Sequence, residues 1–158
     1  TTEGDEIAVV IDAEGFAPGA HMAHVHGHPA ADPPEAGCPP PGADRNADGV
    51  VDAVEAREEA GVALIPLNGA PTALDPDGEN YPVASETGAL DYAVTVSEAT
   101  LTDAMRDAKG TPPAMARRVV MIHGVLEDMA LPDSARSVGD APTHATLPIA
   151  CAELSAEE

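Results

Sequence analysis

Near its start the chain carries the stretch Gly19-Ala-His-Met-Ala-His-Val-His26, from which its fold class and its chemistry are best predicted. His24 and His26 stand two positions apart, and residues i and i+2 of a β-strand share one face. As a strand, the stretch would therefore direct both imidazoles to one point. Imidazole nitrogen binds copper, zinc, iron and nickel, with copper first in the affinity order. The stretch predicts a strand that carries metal ligands, with a group of neutral, solvent-facing histidines as the alternative.

Other parts of the chain also read as short strands. Five more segments are rich in Val and Ile and are bounded by Gly, Pro, Asn or Asp, which is typical of strands in a sandwich or barrel: Ile7–Ile11, Val62–Leu67, Leu90–Val96, Arg117–His123 and Leu147–Leu154. Two segments favour helix, Val51–Ala60 and Glu98–Lys109. With 16 prolines and 14 glycines in 158 residues, the chain is predicted to be one all-β domain spanning residues 1–158, with long loops and one or two short helices.

Charge sets limits on the partners of this chain. The formal net charge is −21, from 28 acidic and 7 basic residues. Such a surface repels nucleic acid and anionic lipid and attracts cations, although solvation in salt water would explain it equally. No apolar run approaches the roughly 20 residues that span a bilayer, so membrane insertion is not expected. Thr1–Glu6 is polar and acidic, unlike a signal peptide, which predicts a mature or trimmed chain.

A second motif follows the strand that carries His24 and His26. The stretch Asp44-Arg-Asn-Ala-Asp-Gly-Val-Val-Asp-Ala-Val-Glu55 matches the twelve-residue EF-hand loop, with glycine at position 6 and glutamate at position 12. All ligands would be oxygens, which favours calcium over copper: Asp44, Asn46, Asp48, the Val50 carbonyl, Asp52 and Glu55. The proline-rich Pro39–Gly42 leaves no ordinary entering helix, so a structural site is predicted rather than a sensor. An acidic turn that binds nothing is the alternative.

The chain resembles the copper/zinc superoxide dismutases in four blocks: Gly15–His26, Ala36–Cys38, Val119–His123 and Leu147–Cys151. The resemblance implies a Greek-key β-sandwich or barrel, copper bound by His24, His26 and His123, and a disulfide between Cys38 and Cys151. That bridge would place the protein in an oxidising compartment, periplasmic or secreted. His21 matches a position that supports the ligand strand. Glu127 and Asp128 fall where the family has paired aspartates, or they form a solvated turn.

This chain also departs from the family's pattern. No histidine lies between His28 and His123, so the bridging and zinc-binding histidines have no counterpart and no zinc is expected. The family's substrate-guiding arginine is missing near Pro148, and His144 is the nearest cationic candidate. Asp5–Ile11 aligns with the family's third strand. A missing first hairpin would expose a sheet edge, which makes a homo-oligomer possible.

Two functions follow from these observations. The first is a copper-only enzyme that disproportionates superoxide to oxygen and hydrogen peroxide, with a structural calcium site. The second is a non-catalytic extracellular copper- and calcium-binding domain on the same scaffold. The fourth copper ligand stays open among His28, His144 and water. No nucleophilic triad, phosphate loop or nucleotide fingerprint is present.

Overall fold

A computed structural model shows that the protein folds into short β-strands and few helices. The structure describes residues 2–3 and 5–155. The strands are β1 (Thr2–Glu3), β2 (Glu6–Ala13), β3 (Gly19–Ala20), β4 (Ala23–Gly27), β5 (Val62–Pro66), β6 (Val83–Ala84), β7 (Leu90–Ser97), β8 (Val119–His123) and β9 (Pro148–Glu153). The α-helices are α1 (Arg57–Ala60), α2 (Glu98–Lys109) and α3 (Thr143–Thr146). Single 3₁₀ turns occur at Pro41–Ala43, Pro71–Ala73 and Met115–Arg117.

The strands form three antiparallel sheets. Their orders are β1-β2-β7, β3-β6 and β5-β4-β8-β9. The all-β prediction is confirmed. Within the described residues no sheet closes on itself, so the protein is not a barrel. The Greek-key arrangement of the superoxide dismutases stays a prediction.

Each strand predicted from composition is present, with small changes at its ends. The prediction missed β1, β3 and β6, which are two residues long and too short for a periodic signal. The strand predicted over Arg117–His123 begins at Val119, because Met115–Arg117 forms a 3₁₀ turn. Residues 1, 4 and 156–158 of the predicted 1–158 domain lie outside the described residues.

The helices differ more from the prediction. α2 has the predicted bounds: the Ser97 hydroxyl accepts a hydrogen bond from Thr100 N at its start, and Gly110 adopts φ +67° at its end. The helix predicted over Val51–Ala60 is only the four-residue α1. Its first half forms turns, in which the Asp52 carboxylate binds backbone N–H groups that a longer helix would leave unpaired. The single-turn α3 was not predicted, so the described residues contain three α-helices where one or two were expected.

The main core lies between the inner faces of the two larger sheets and α2. Side chains alternate along β4 and β8, so Ala23, Val25, Val120 and Ile122 face this core. The residues between them face the opposite side of the four-stranded sheet. That side is covered by a second apolar cluster of Ala56, Ala60, Val119 and Met121, packed against Cys38 and Cys151. His24, His26 and His123 therefore lie on a sheet face that the loops cover.

The disulfide that the resemblance implied is present. Cys38 and Cys151 are bonded across 113 residues of sequence, joining the loop after β4 to β9. In the three-stranded sheet, β1 pairs with two positions of β2 within the described residues, and Val10 of β2 is 71% exposed. None of the helices among the described residues is long and apolar enough to cross a membrane.

Candidate metal centre

Two neighbouring strands bring three histidines together. β4 and β8 are paired so that His24 lies opposite Met121 and His26 lies opposite Val119. His24, His26 and His123 are 6%, 9% and 6% exposed, and each offers a ring nitrogen within 4.8 Å of the other two. Among the described residues, no other three His, Cys, Asp or Glu side chains converge this closely. These three side chains could hold a metal ion.

Hydrogen bonds fix which nitrogen of His123 is free. His123 Nδ1 lies 2.9 Å from the Thr146 carbonyl, which only accepts, so Nδ1 carries the proton. The lone pair is then on Nε2, and this atom lies 3.3 Å from His26 Nε2. A carbonyl that orients a histidine from behind is the usual arrangement at metal sites.

A phenol orients His24 in the same way. Tyr81 donates its hydroxyl proton to the Pro76 carbonyl at 2.9 Å, so its oxygen accepts from His24 Nε2 at 3.1 Å. The lone pair of His24 is then on Nδ1. This atom is buried and has no hydrogen-bond partner within the described residues. The His24 ring centroid lies 5.8 and 5.4 Å from those of His26 and His123, and a buried nitrogen with a free lone pair on such a ring is suited to bind a metal.

The spacing fits a first-row metal ion. Two nitrogens bound at about 2.0–2.1 Å lie about 3.3 Å apart at the tetrahedral angle, and about 4.1 Å apart when they are opposite. The 3.3 Å between His26 Nε2 and His123 Nε2 agrees with the first value, and the 4.8 Å limit on the whole set leaves room for both.

All three rings are held neutral. Burial, followed by the charge of His123, lowers the pKa of His24 to about 3. Burial and the neighbouring His123 and His24 lower the pKa of His26 well below its usual value, and the smaller effect of the Gly61 backbone opposes this shift. Burial also lowers the pKa of His123, against the effect of Thr146. Since metals bind the neutral ring, the lone pairs are available at neutral pH.

The other histidines do not join this group. His21 lies behind it, with Nδ1 at 3.0 Å from the His123 carbonyl and Nε2 at 2.8 Å from the Ala17 carbonyl. It thus supports the strand that carries His123, as its position in the resemblance implied. His28 contacts the Glu59 carbonyl and His144 contacts the Met129 carbonyl, so neither provides a fourth nitrogen here. Glu127 and Asp128 are exposed, and the groups that hydrogen-bond the rings of His123 and His24 come from Thr146 and Tyr81.

A cavity of about 610 Å³ opens beside the three histidines. Its walls come from β4, from α1 and the turns before it, and from the loops around Pro76 and Gly139. Arg57 is the only Lys or Arg on these walls, and it makes no ion pair within the described part of the chain. Asp77 and Asp140 line the cavity as well. Sequence reasoning missed Arg57 and Tyr81, because neither the short α1 nor the loop that holds Tyr81 carries a motif.

The predicted calcium loop is organised differently. Gly49, at position 6, has φ +95°, and the Asp44 carboxylate accepts from Asp48 N and Gly49 N at 3.1 and 2.9 Å. Glu55 accepts from three backbone N–H groups of the loop. The loop has the turn that its motif requires. Its carboxylates do not converge as the histidines do, so the calcium site stays a prediction.

A distant segment is attached to this loop. Asp52 is fully buried and accepts from Arg136 N and Nε at 2.8 and 3.1 Å. Ser134 donates to Asp48 at 2.5 Å. The same segment continues to Gly139 and Asp140 on the cavity wall. The acidic loop therefore holds one wall of the histidine cavity in place.

Comparisons of the chain with protein-family models, with curated proteins and with solved structures found no match. The resemblance to the superoxide dismutases therefore depends on the residues themselves.

Proposed function

We propose that the protein binds copper through His24 Nδ1, His26 Nε2 and His123 Nε2, and that it disproportionates superoxide at this centre. The observation that carries the proposal is the convergence of His24, His26 and His123, which each offer a ring nitrogen within 4.8 Å of the other two, while the buried His24 Nδ1 has no hydrogen-bond partner among the described residues. Three neutral imidazoles suit copper, which leads the affinity order for such ligands. A zinc ion bound in its place would be redox-inactive.

Bound copper would supply one-electron redox chemistry. The overall reaction converts two superoxide anions and two protons to one oxygen and one hydrogen peroxide. The chain's own residues would orient the ligands and admit the anion. Thr146 and Tyr81 hold the tautomers of His123 and His24, and the cavity leaves one side of the centre open.

Arg57 supports an anionic substrate. The net charge of −21 repels anions at long range, and Asp77 and Asp140 add to this inside the cavity. Arg57 is the only cationic side chain of the described cavity that opposes them, and no carboxylate neutralises it. We propose that it attracts small anions to the histidines, the task assigned to the arginine that is missing near Pro148.

The remaining predictions belong to the same proposal. Calcium would bind in the Asp44–Glu55 loop and stabilise the attached cavity wall. The disulfide fits an oxidising compartment, so we propose a periplasmic or secreted protein. The β2 edge, covered at only two positions by β1, is where a second copy would pair. Mass in solution tests this self-association.

A dismutation assay on copper-loaded protein tests the enzyme. His123→Ala should abolish activity. Arg57→Glu should lower the rate about tenfold and make the rate rise with added salt, because salt then screens the repulsion of the anion. Arg106→Glu, on α2, makes the same charge change away from the cavity and should leave the rate unchanged.

A rate no better than free copper, or one that His123→Ala does not change, would rule out the enzyme. A non-catalytic copper-binding domain would then be the better proposal. The two aspartates beside the centre favour that second function, because they disfavour an anionic substrate.

A further inference from the structure

Met22 lies on the same face as the metal-binding histidines. His123 N donates to the Met22 carbonyl at 2.8 Å, directly beyond the β4–β8 pair of Ala23 with Ile122. Met22 therefore lies opposite His123, and opposite residues of paired strands share one face. It also lies two positions before His24. His21, one position earlier, turns the other way and contacts the Phe16 ring, as alternation requires.

The Met22 side chain reaches the cavity of the metal centre. It is half-buried and lines the cavity together with His24, His26 and His123. The described His, Cys, Asp and Glu residues provide three converging ligand atoms and no fourth. A methionine beside an incomplete set of nitrogen ligands is therefore in a position to complete it.

We propose that the Met22 thioether is a fourth, weak ligand of the copper and that it favours the reduced ion. This inference rests on the proposed copper site and adds one residue to it. Thioether sulfur is a soft donor that selects Cu(I), whereas imidazole serves both oxidation states. Loss of the sulfur should therefore weaken Cu(I) binding more than Cu(II) binding.

A second methionine provides a matched control. Met121 lies on the same face, directly opposite His24. It is 1% exposed and packs with Ala56, Ala60 and Val119, and it is absent from the cavity walls within the described residues. Met121→Leu removes a sulfur of equal chemistry that is sealed behind the centre, whereas Met22→Leu removes the sulfur on its open side.

The test uses copper-loaded full chain in both oxidation states. X-ray absorption of the Cu(I) protein should show one sulfur neighbour in the wild type and in Met121→Leu, and none in Met22→Leu. Competition with a Cu(I) chelator should show about tenfold weaker Cu(I) binding in Met22→Leu, with Cu(II) binding nearly unchanged.

The outcomes separate the two proposals. A wild-type Cu(I) centre with nitrogen neighbours alone, or a sulfur signal that persists in Met22→Leu, overturns the role of Met22 and leaves the three-histidine site intact. A wild-type protein that takes up no copper overturns the site itself, and the role of Met22 with it. Loss of the sulfur signal in Met121→Leu, with the signal kept in Met22→Leu, would identify Met121 as the ligand and overturn the role of Met22.

Discussion

The histidine face and the acidic loop carry the two metal motifs of this chain, and they are organised in opposite ways. On the histidine face, three ring nitrogens converge, and two buried ring nitrogens, His24 Nδ1 and His26 Nδ1, have no hydrogen-bond partner among the described residues. In the Asp44–Glu55 loop, the carboxylates bind the loop's own N–H groups and the segment at Ser134 and Arg136. The difference follows from the backbone. Paired strands satisfy their own N–H groups and leave the side chains free, whereas an irregular loop uses its side chains for this purpose.

If the two regions are separate metal sites, a substitution in one should change the affinity for its own metal alone. This change in metal affinity should be the largest effect of those predicted here. His26→Ala removes a converging nitrogen and should weaken copper binding roughly 100-fold or more, with calcium binding unchanged. Glu55→Gln removes the charge that closes the acidic loop and should weaken calcium binding alone. Titration calorimetry with each metal on both variants measures this. If Glu55→Gln weakened copper binding as much as His26→Ala does, the two regions would not be independent sites.

The disulfide connects the two regions, because Cys38 lies between the histidine strand and the acidic loop. Replacing Cys38 and Cys151 with serine should lower the free energy of unfolding by about 2–5 kcal/mol, since the bridge closes a loop of 113 residues in the unfolded chain. Urea unfolding of the variant and of the wild type, each with and without reductant, measures the loss. An oxidised wild type no more stable than the double variant would show that the bridge contributes nothing.

The sequence predicted the histidine face better than the loop for a physical reason. A strand has a period of two, so His24 and His26 had to share a face, and the Val-rich run before His123 had to be a strand. What lies behind the rings was not predictable, because Tyr81 comes from a loop and Thr146 from the single-turn α3, and neither has a periodic pattern. The twelve-residue loop motif predicts which oxygens are present. It does not predict that Arg136, 84 positions after Asp52, would bind one of them.

Tyr81 tests how far the orientation of the histidines matters. Tyr81→Phe removes the hydroxyl that accepts from His24 Nε2 and keeps the ring. His24 Nε2 then loses the acceptor that keeps the proton on it and so leaves the Nδ1 lone pair free, and copper affinity should fall about tenfold. Burial raises the pKa of Tyr81, so the hydroxyl stays protonated and this effect should not vary between pH 6 and 9. Chelator competition across that range measures both. Tyr92→Phe, whose hydroxyl binds the Asn68 carbonyl instead, is the control and should bind copper as the wild type does.

The smallest expected effect is on the stability of the acidic loop without metal, which depends on the charge of Asp52. Burial acts to raise the pKa of Asp52, but hydrogen bonds from Glu55 N, Arg136 N and the Arg136 side chain outweigh it, and the pKa is lowered from 3.8. A carboxylate with a depressed pKa in the folded state stabilises the protein above its unfolded pKa, and this contribution is lost as the pH falls through the folded pKa. Asp52→Asn keeps an oxygen for the N–H groups but loses the charge opposite the half-exposed Arg136.

The variant should therefore be about 1 kcal/mol less stable than the wild type at pH 7, and the difference should shrink below pH 3.8. Urea unfolding in metal-free buffer at pH 7, 5 and 3 measures it, with Asp103→Asn on α2 as the control. A difference that stayed constant down to pH 3 would assign the loss to packing. In that case packing and neutral hydrogen bonds, and not the charge of Asp52, would stabilise the acidic loop.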